Sequence, residues 1–170
     1  DFTDRGEGLR NTISLKGRAG VGHGRVHWSA NFDEIHDFEH DIRFAFLGTG
    51  FMTVEDFGQT NTTLGYPKAG KSAALDAMNA YVESLARFPQ SPFRKWNGDY
   101  RDNAEAGKAI FNAKGCYKCH GGEHFTDSPQ GNRHDVGTLS DASGSRLGGV
   151  LGGLDTPTLR GIWDTAPYLH

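Results

Sequence analysis

Cys116-Tyr117-Lys118-Cys119-His120 is the stretch on which the reading of this chain turns. It has the C-x-x-C-H spacing of covalent haem attachment. Each thiolate can add to one vinyl group of a haem, giving two thioether bonds, and the adjacent imidazole is then placed to bind the iron. The chain has two cysteines, and the motif uses both. A disulfide accounts for the cysteines but not for the histidine. A thioredoxin-like redox pair needs a strand–helix setting, and no parallel-sheet pattern surrounds it. A structural zinc site needs a second ligand pair, which the sequence lacks.

Composition agrees with a cofactor that supplies part of the core. Of 170 residues, 36% are hydrophobic and 24 are glycine, with a mean hydropathy of −0.58. Such a chain has little apolar side-chain volume with which to build a large core. A net charge of −3 and the lack of a basic patch with interleaved aromatics argue against nucleic acid. No apolar run reaches membrane-spanning length. The sequence starts at Asp1, which suggests a processed or partial polypeptide. Haem is attached to such motifs outside the cytoplasm, so a periplasmic or otherwise extracytoplasmic location is expected.

Upstream of the motif, Asp102-Asn103-Ala104-Glu105 reads as a capping box opening a helix that ends near Gly115. Downstream come Phe125-Thr126-Asp127, His134-Asp135-Val136-Gly137, Asp155-Thr156-Pro157-Thr158-Leu159-Arg160-Gly161 and Thr165-Ala166-Pro167-Tyr168-Leu169-His170. Asp102 to Phe111 with the attachment turn resembles the opening of a cytochrome c domain, in which Gly107 and Phe111 would face a C-terminal helix. Taken in order, the four downstream segments and the motif resemble the dihaem cytochrome c peroxidase and MauG-like family over about residues 102–170. That resemblance implies a haem c, with Arg160 as partner of a haem propionate. It also implies redox partners: another protein, or further haem-carrying segments or chains.

A weaker echo lies at the other end. Asn11-Thr12-Ile13-Ser14-Leu15-Lys16-Gly17 parallels Asp155 to Gly161. A helix is then expected over about 32–46, capped by Asn31 with Glu34 in the box position, with a stripe of Phe32, Ile35, Phe38, Ile42 and Phe46. A second helix is expected from Ser72 to Arg87, with Leu75, Met78, Tyr81, Val82 and Leu85 on one face. Pro89 and Pro92 mark a turn-rich linker over 88–101.

The expected fold is mainly α and loop-rich: a cytochrome c-like haem domain with a helical N-terminal portion. Residues 1–70 read as the tail of a preceding haem domain, 71–101 as helix and linker, and 102–170 as a haem domain lacking its closing helix. The expected function is that of a c-type cytochrome with one covalent haem, transferring single electrons within a multihaem protein or complex. The alternative is part of a dihaem peroxidase or MauG-like oxidoreductase. His120 is the proximal ligand. For the sixth position Met52 and His134 are the candidates, with His124, Met78 and His170 behind them. Trp28, Trp96 and Trp163 are candidates for positions between redox centres, though core packing suits each. His36-Asp37-Phe38-Glu39-His40 formally matches an H-x-x-E-H zinc pattern, a remote hydrolase reading, since the same residues suit the polar face of a helix. Residues 147–154, with four glycines, read as a loop near the haem edge.

Overall fold

The structure, a computed structural model, describes residues 10–166 and 168. His170, a candidate ligand, lies outside them. Four α-helices occur among the described residues: α1 (Phe38–His40), α2 (Val54–Gln59), α3 (Ala73–Ser84) and α4 (Asp102–Ala113). Four two-residue strands follow: β1 (Arg133–His134), β2 (Ser145–Arg146), β3 (Gly149–Val150) and β4 (Leu154–Asp155). β1 pairs antiparallel with β4, Arg133 opposite Asp155, and β2 pairs with β3 as a small hairpin.

The expectation of a mainly α, cytochrome c-like fold is corrected. Helix of all kinds makes up 34% and strand 8%, and the rest is turns and loops. Glycine is the physical reason: its backbone entropy works against helix interiors and its reach into positive φ favours turns. Among the described residues, α3 and α4 are the only helices that reach twelve residues.

α3 forms much as its sequence suggests. Ser72 caps it, accepting from the Leu75 amide at 3.4 Å. Leu75 and Val82 are buried, but Tyr81 is 67% exposed. The helix serves two small cores. Val82 joins Val26, Phe32 and Ile35, while Leu75 joins Met52 and Phe57; Met78 packs against both.

The helix expected over 32–46 is shorter and irregular. A 3-10 turn at Ile35–Asp37 runs into α1 and then into a π-turn at Asp41–Ala45. Asn31 does not cap it, because its side-chain oxygen meets His27 Nδ1 at 2.8 Å. Glu34 caps instead, in a reciprocal box with Asp37. The apolar stripe ends early, with Phe46 70% exposed.

The residues assigned to a polar outer face are in fact buried: His36, Asp37, Glu39 and His40. Glu39 accepts from the amides of Phe51 and Met52 at 3.0 Å each and from Arg43 Nε at 2.8 Å. Asp37 pairs with the buried Lys68 at 2.5 Å. His36 Nε2 lies 3.0 Å from Asp76. The N-terminal portion is therefore held by a buried polar network beside two small apolar clusters.

α4 starts at Asp102 with Arg101 as its cap and buries no residue. A Cβ on Gly107 would meet nothing within 4 Å, so no helix crosses there among the described residues. Gly115, at φ +71°, stops α4 and turns the chain into the motif. Residues 88–101 form turns with an isolated bridge between Arg94 and Tyr100. Residues 147–154 contain half of the β2–β3 hairpin, tied down through Arg146 to the carbonyls of Ser29 and Ala30. No helix among the described residues is long and apolar enough to cross a membrane.

Candidate haem-attachment site

Directly after Gly115 a 3-10 turn spans Cys116–Lys118, and the amides of Cys119 and His120 both bond back to the Cys116 carbonyl, at 3.3 and 3.0 Å. The turn carries both thiols and the imidazole on five consecutive residues. Both cysteines are unpaired, Cys116 exposed and Cys119 half-buried. Burial pushes the Cys119 thiol up, with Asp127 and Cys116 adding and Lys118 opposing. That is the reverse of the depressed thiol of a dithiol oxidoreductase.

His120 Nδ1 lies 3.1 Å from the carbonyl oxygen of Phe125. A carbonyl only accepts, so Nδ1 carries the proton and donates, which leaves the Nε2 lone pair free for a metal. Phe125 reaches this position with φ +51°, a backbone region that a residue with a Cβ rarely adopts. Two hydrogen bonds hold that bend. Thr126 Oγ1 donates to the Thr156 carbonyl, and Thr158 Oγ1 donates to the His124 carbonyl at 2.5 Å. The Phe-Thr-Asp and Thr-Pro-Thr segments are therefore laced together.

Cys119 and His120 open onto a cavity of about 410 Å³. Its walls come mainly from segments 11–14 and 154–162, the two halves of the sequence echo. Gly17 and Gly161 share a left-handed conformation, φ +76° and +74°, and a Cβ on either would run into the ring of Phe88. Phe88 is thus seated between them. Trp28 links the two halves: its indole donates to the Asn11 carbonyl and its own carbonyl accepts from the Asp155 amide, both at 2.7 Å. Trp28 lines the cavity, whereas Trp96 is 93% exposed and Trp163 is not part of the wall.

Arg160 lies on the rim. Its Nη1 is 3.4 Å from His124 Nδ1, and its guanidinium carbon sits 5.2 Å over the Phe88 ring. His124 stacks on the buried His23 with ring centroids 4.1 Å apart. Burial pushes His23 down to about 4, with His124, Arg18 and Arg160 adding.

The other expected ligands are dispersed. His134 lines the cavity, but its Nε2 is 2.7 Å from Asp127. Met52 is buried with Phe57 and Leu75, away from the cavity wall. Met78 packs between the two cores. His36 and Glu39 have the partners given above. Among the described residues, one group of potential metal-ligating atoms lies within 4.8 Å of one another: Cys119, Asp127 and His134. A metal ion held there and a thioether at Cys119 exclude one another.

The sequence reading passed over Phe125 as a backbone acceptor, Ser128, and the buried Arg18 in the cavity wall. Phe125 lies in the Phe-Thr-Asp segment, but the role of its carbonyl depends on the backbone bend there; Ser128 and Arg18 belong to no motif and are recruited through tertiary contacts. Compared with known protein families, curated proteins and solved structures, the chain matches none.

Proposed function

We propose that this chain carries one haem of the c type, bonded through Cys116 and Cys119 and ligated by His120, and that it transfers single electrons. The observation that carries the reading is His120: both thiols share its turn, and Phe125 fixes its tautomer so that Nε2 is the free donor. The donor set suits the group, two thiols for two vinyl carbons and a neutral imidazole for iron. Bound there, a haem supplies a one-electron iron couple. The chain's own residues hold and orient it. His120 would give a ring nitrogen to the iron, the Phe125 carbonyl keeps its ring from turning, and Arg160 would offer a guanidinium to a propionate. Trp28 and Phe88 keep the two wall segments together, which limits water around the site.

Peroxide chemistry is a second reading with one observation behind it. Among the described residues lining the cavity there is no methionine, and His134 has Nε2 committed to Asp127. Such a wall favours an open sixth position over a strong second ligand. Optical spectra of the ferric and ferrous forms, with carbon monoxide and then peroxide added, decide between them. A low-spin haem inert to both supports the electron relay. A high-spin ferric haem that binds carbon monoxide when reduced supports the second reading and removes the first.

A further inference from the structure

Arg18 is the least expected residue in the cavity wall. It is 2% exposed, yet it borders the cavity. Its Nη2 donates to the Arg25 carbonyl at 3.1 Å, and its Nε has no partner. It forms no ion pair within 4.0 Å among the described residues. A guanidinium carries five N–H donors and does not lose its charge in proteins. Burying it without a counter-ion costs several kcal/mol, so the position calls for an anion.

The neighbouring groups do not provide one fully. Lys16 and Asp164 already pair with each other at 2.7 Å. Asp155 is buried and accepts from Ser128 Oγ at 2.8 Å, leaving its second oxygen without a partner. Burial pushes the Asp155 carboxyl up to about 7, against the pull of Ser128 and Arg18. Near neutral pH it is therefore protonated in a large fraction of molecules. Arg160, from the other half of the echo, has its Nη1 3.4 Å from the His124 ring nitrogen Nδ1. The cavity thus presents two guanidinium groups, one next to Gly17 and one next to Gly161, and neither has a carboxylate at ion-pair distance among the described residues.

We propose that Arg18 binds a carboxylate of the cavity's occupant: one propionate of the haem, with the other left to Arg160. This rests on the haem reading above. A carboxylate entering from the cavity would accept charge-assisted hydrogen bonds from the guanidinium face that borders it. It would also supply the missing counter-charge in a buried setting, where such a pair is screened little by salt.

The test uses the haem-loaded chain and two variants, R18M and R18K. Intact mass gives covalent haem content, and spectroelectrochemistry gives the midpoint potential. Thioether formation does not depend on Arg18, so R18M keeps its haem. Its midpoint potential shifts downward, because a positive charge paired with the propionate is lost and the oxidised state gains relative stability. R18K, which keeps the charge without the fork, shifts less in the same direction. It carries the test if R18M does not fold. A potential unchanged from the wild type in either variant overturns the proposal. Addition of acetate to the wild type leaves the potential unmoved if the carboxylate belongs to the haem. An acetate-dependent shift that R18M abolishes assigns Arg18 to a dissociable carboxylate and overturns the propionate assignment. A wild-type chain without covalent haem removes the parent reading instead, an outcome distinguishable by mass alone.

Discussion

His120 Nδ1 and the carbonyl oxygen of Phe125 lie 3.1 Å apart, and the bond exists because Phe125 holds a left-handed backbone, φ +51°. Five residues after His120, the chain bends back to supply an acceptor of the kind a metal-bound imidazole would need. A Phe125→Gly variant keeps the carbonyl and removes the Cβ conflict, so its haem spectrum stays that of the wild type. Phe125→Val puts a β-branched residue where φ is positive and costs about 1–3 kcal/mol. Urea denaturation reads that loss, and the ferric spectrum reads the disturbed axial bond.

Phe88 between Gly17 and Gly161 gives a second prediction. A Cβ on Gly17 would lie 2.6 Å from the ring at a φ that itself disfavours a side chain. Gly17→Ala and Gly161→Ala therefore each destabilise by about 1–3 kcal/mol. In a Phe88→Ala background the steric part of each loss disappears and only the backbone part remains. Double-mutant cycles from urea midpoints show this as strong non-additivity. Additive losses would place Phe88 elsewhere.

Buried titratable groups make stability depend on pH in opposing senses. Burial raises Asp155 to about 7 and Asp37 to about 6, the latter against Lys68. An acid with a raised folded pKa binds protons more in the folded state than in the unfolded one. Stability therefore falls as pH rises through about 6 to about 7. His23, lowered from 6.5 to about 4, acts in the opposite sense: stability falls as pH drops from 6.5 towards about 4. Urea midpoints at pH 6 should exceed those at pH 8. Asp155→Asn should flatten the alkaline side, and His23→Phe the acidic side.

Glu39 tests the buried polar network. Burial pushes its carboxyl up, but the amides of Phe51 and Met52 and the Arg43 guanidinium outweigh that and hold it below the usual range. Its stabilising contribution is complete above the ordinary glutamate value of 4.5 and is lost as pH falls through the lower folded value. Glu39→Gln leaves Arg43 without its anion and costs about 3–5 kcal/mol.

Met52→Ala empties part of the core shared with Phe57 and Leu75 and costs about 2–5 kcal/mol. With Met52 in that core, the haem spectrum of the variant stays unchanged. A change from low-spin to high-spin would instead make Met52 an iron ligand.

Local signals in the sequence carried the helix before Cys116, its glycine stop at Gly115 and the start of α3 near Ser72, because each is encoded by neighbours within a few residues. The echo of Leu15-Lys16-Gly17 and Leu159-Arg160-Gly161 was also legible, although its meaning as two walls around Phe88 was not. Long-range polar pairing was illegible. Lys68 and Asp37 are 31 positions apart, and before the fold is known His36, Asp37 and Glu39 read as a solvated face. The same limit hid Arg18, a lone arginine in a glycine-rich stretch. It also misled the fold class, since helical periodicity over 32–46 says nothing of the turn that Asn31 and His27 impose.

Covalent haem on Cys116 and Cys119 is tested most directly by intact mass spectrometry, together with the pyridine haemochrome spectrum and iron and zinc content, of the chain produced with a haem-attachment system. The expected result is the mass of one haem per chain, one equivalent of iron, and loss of both in the variant carrying Cys116→Ala and Cys119→Ala. An unmodified mass with two free thiols, or zinc in place of iron through Cys119, Asp127 and His134, would contradict it.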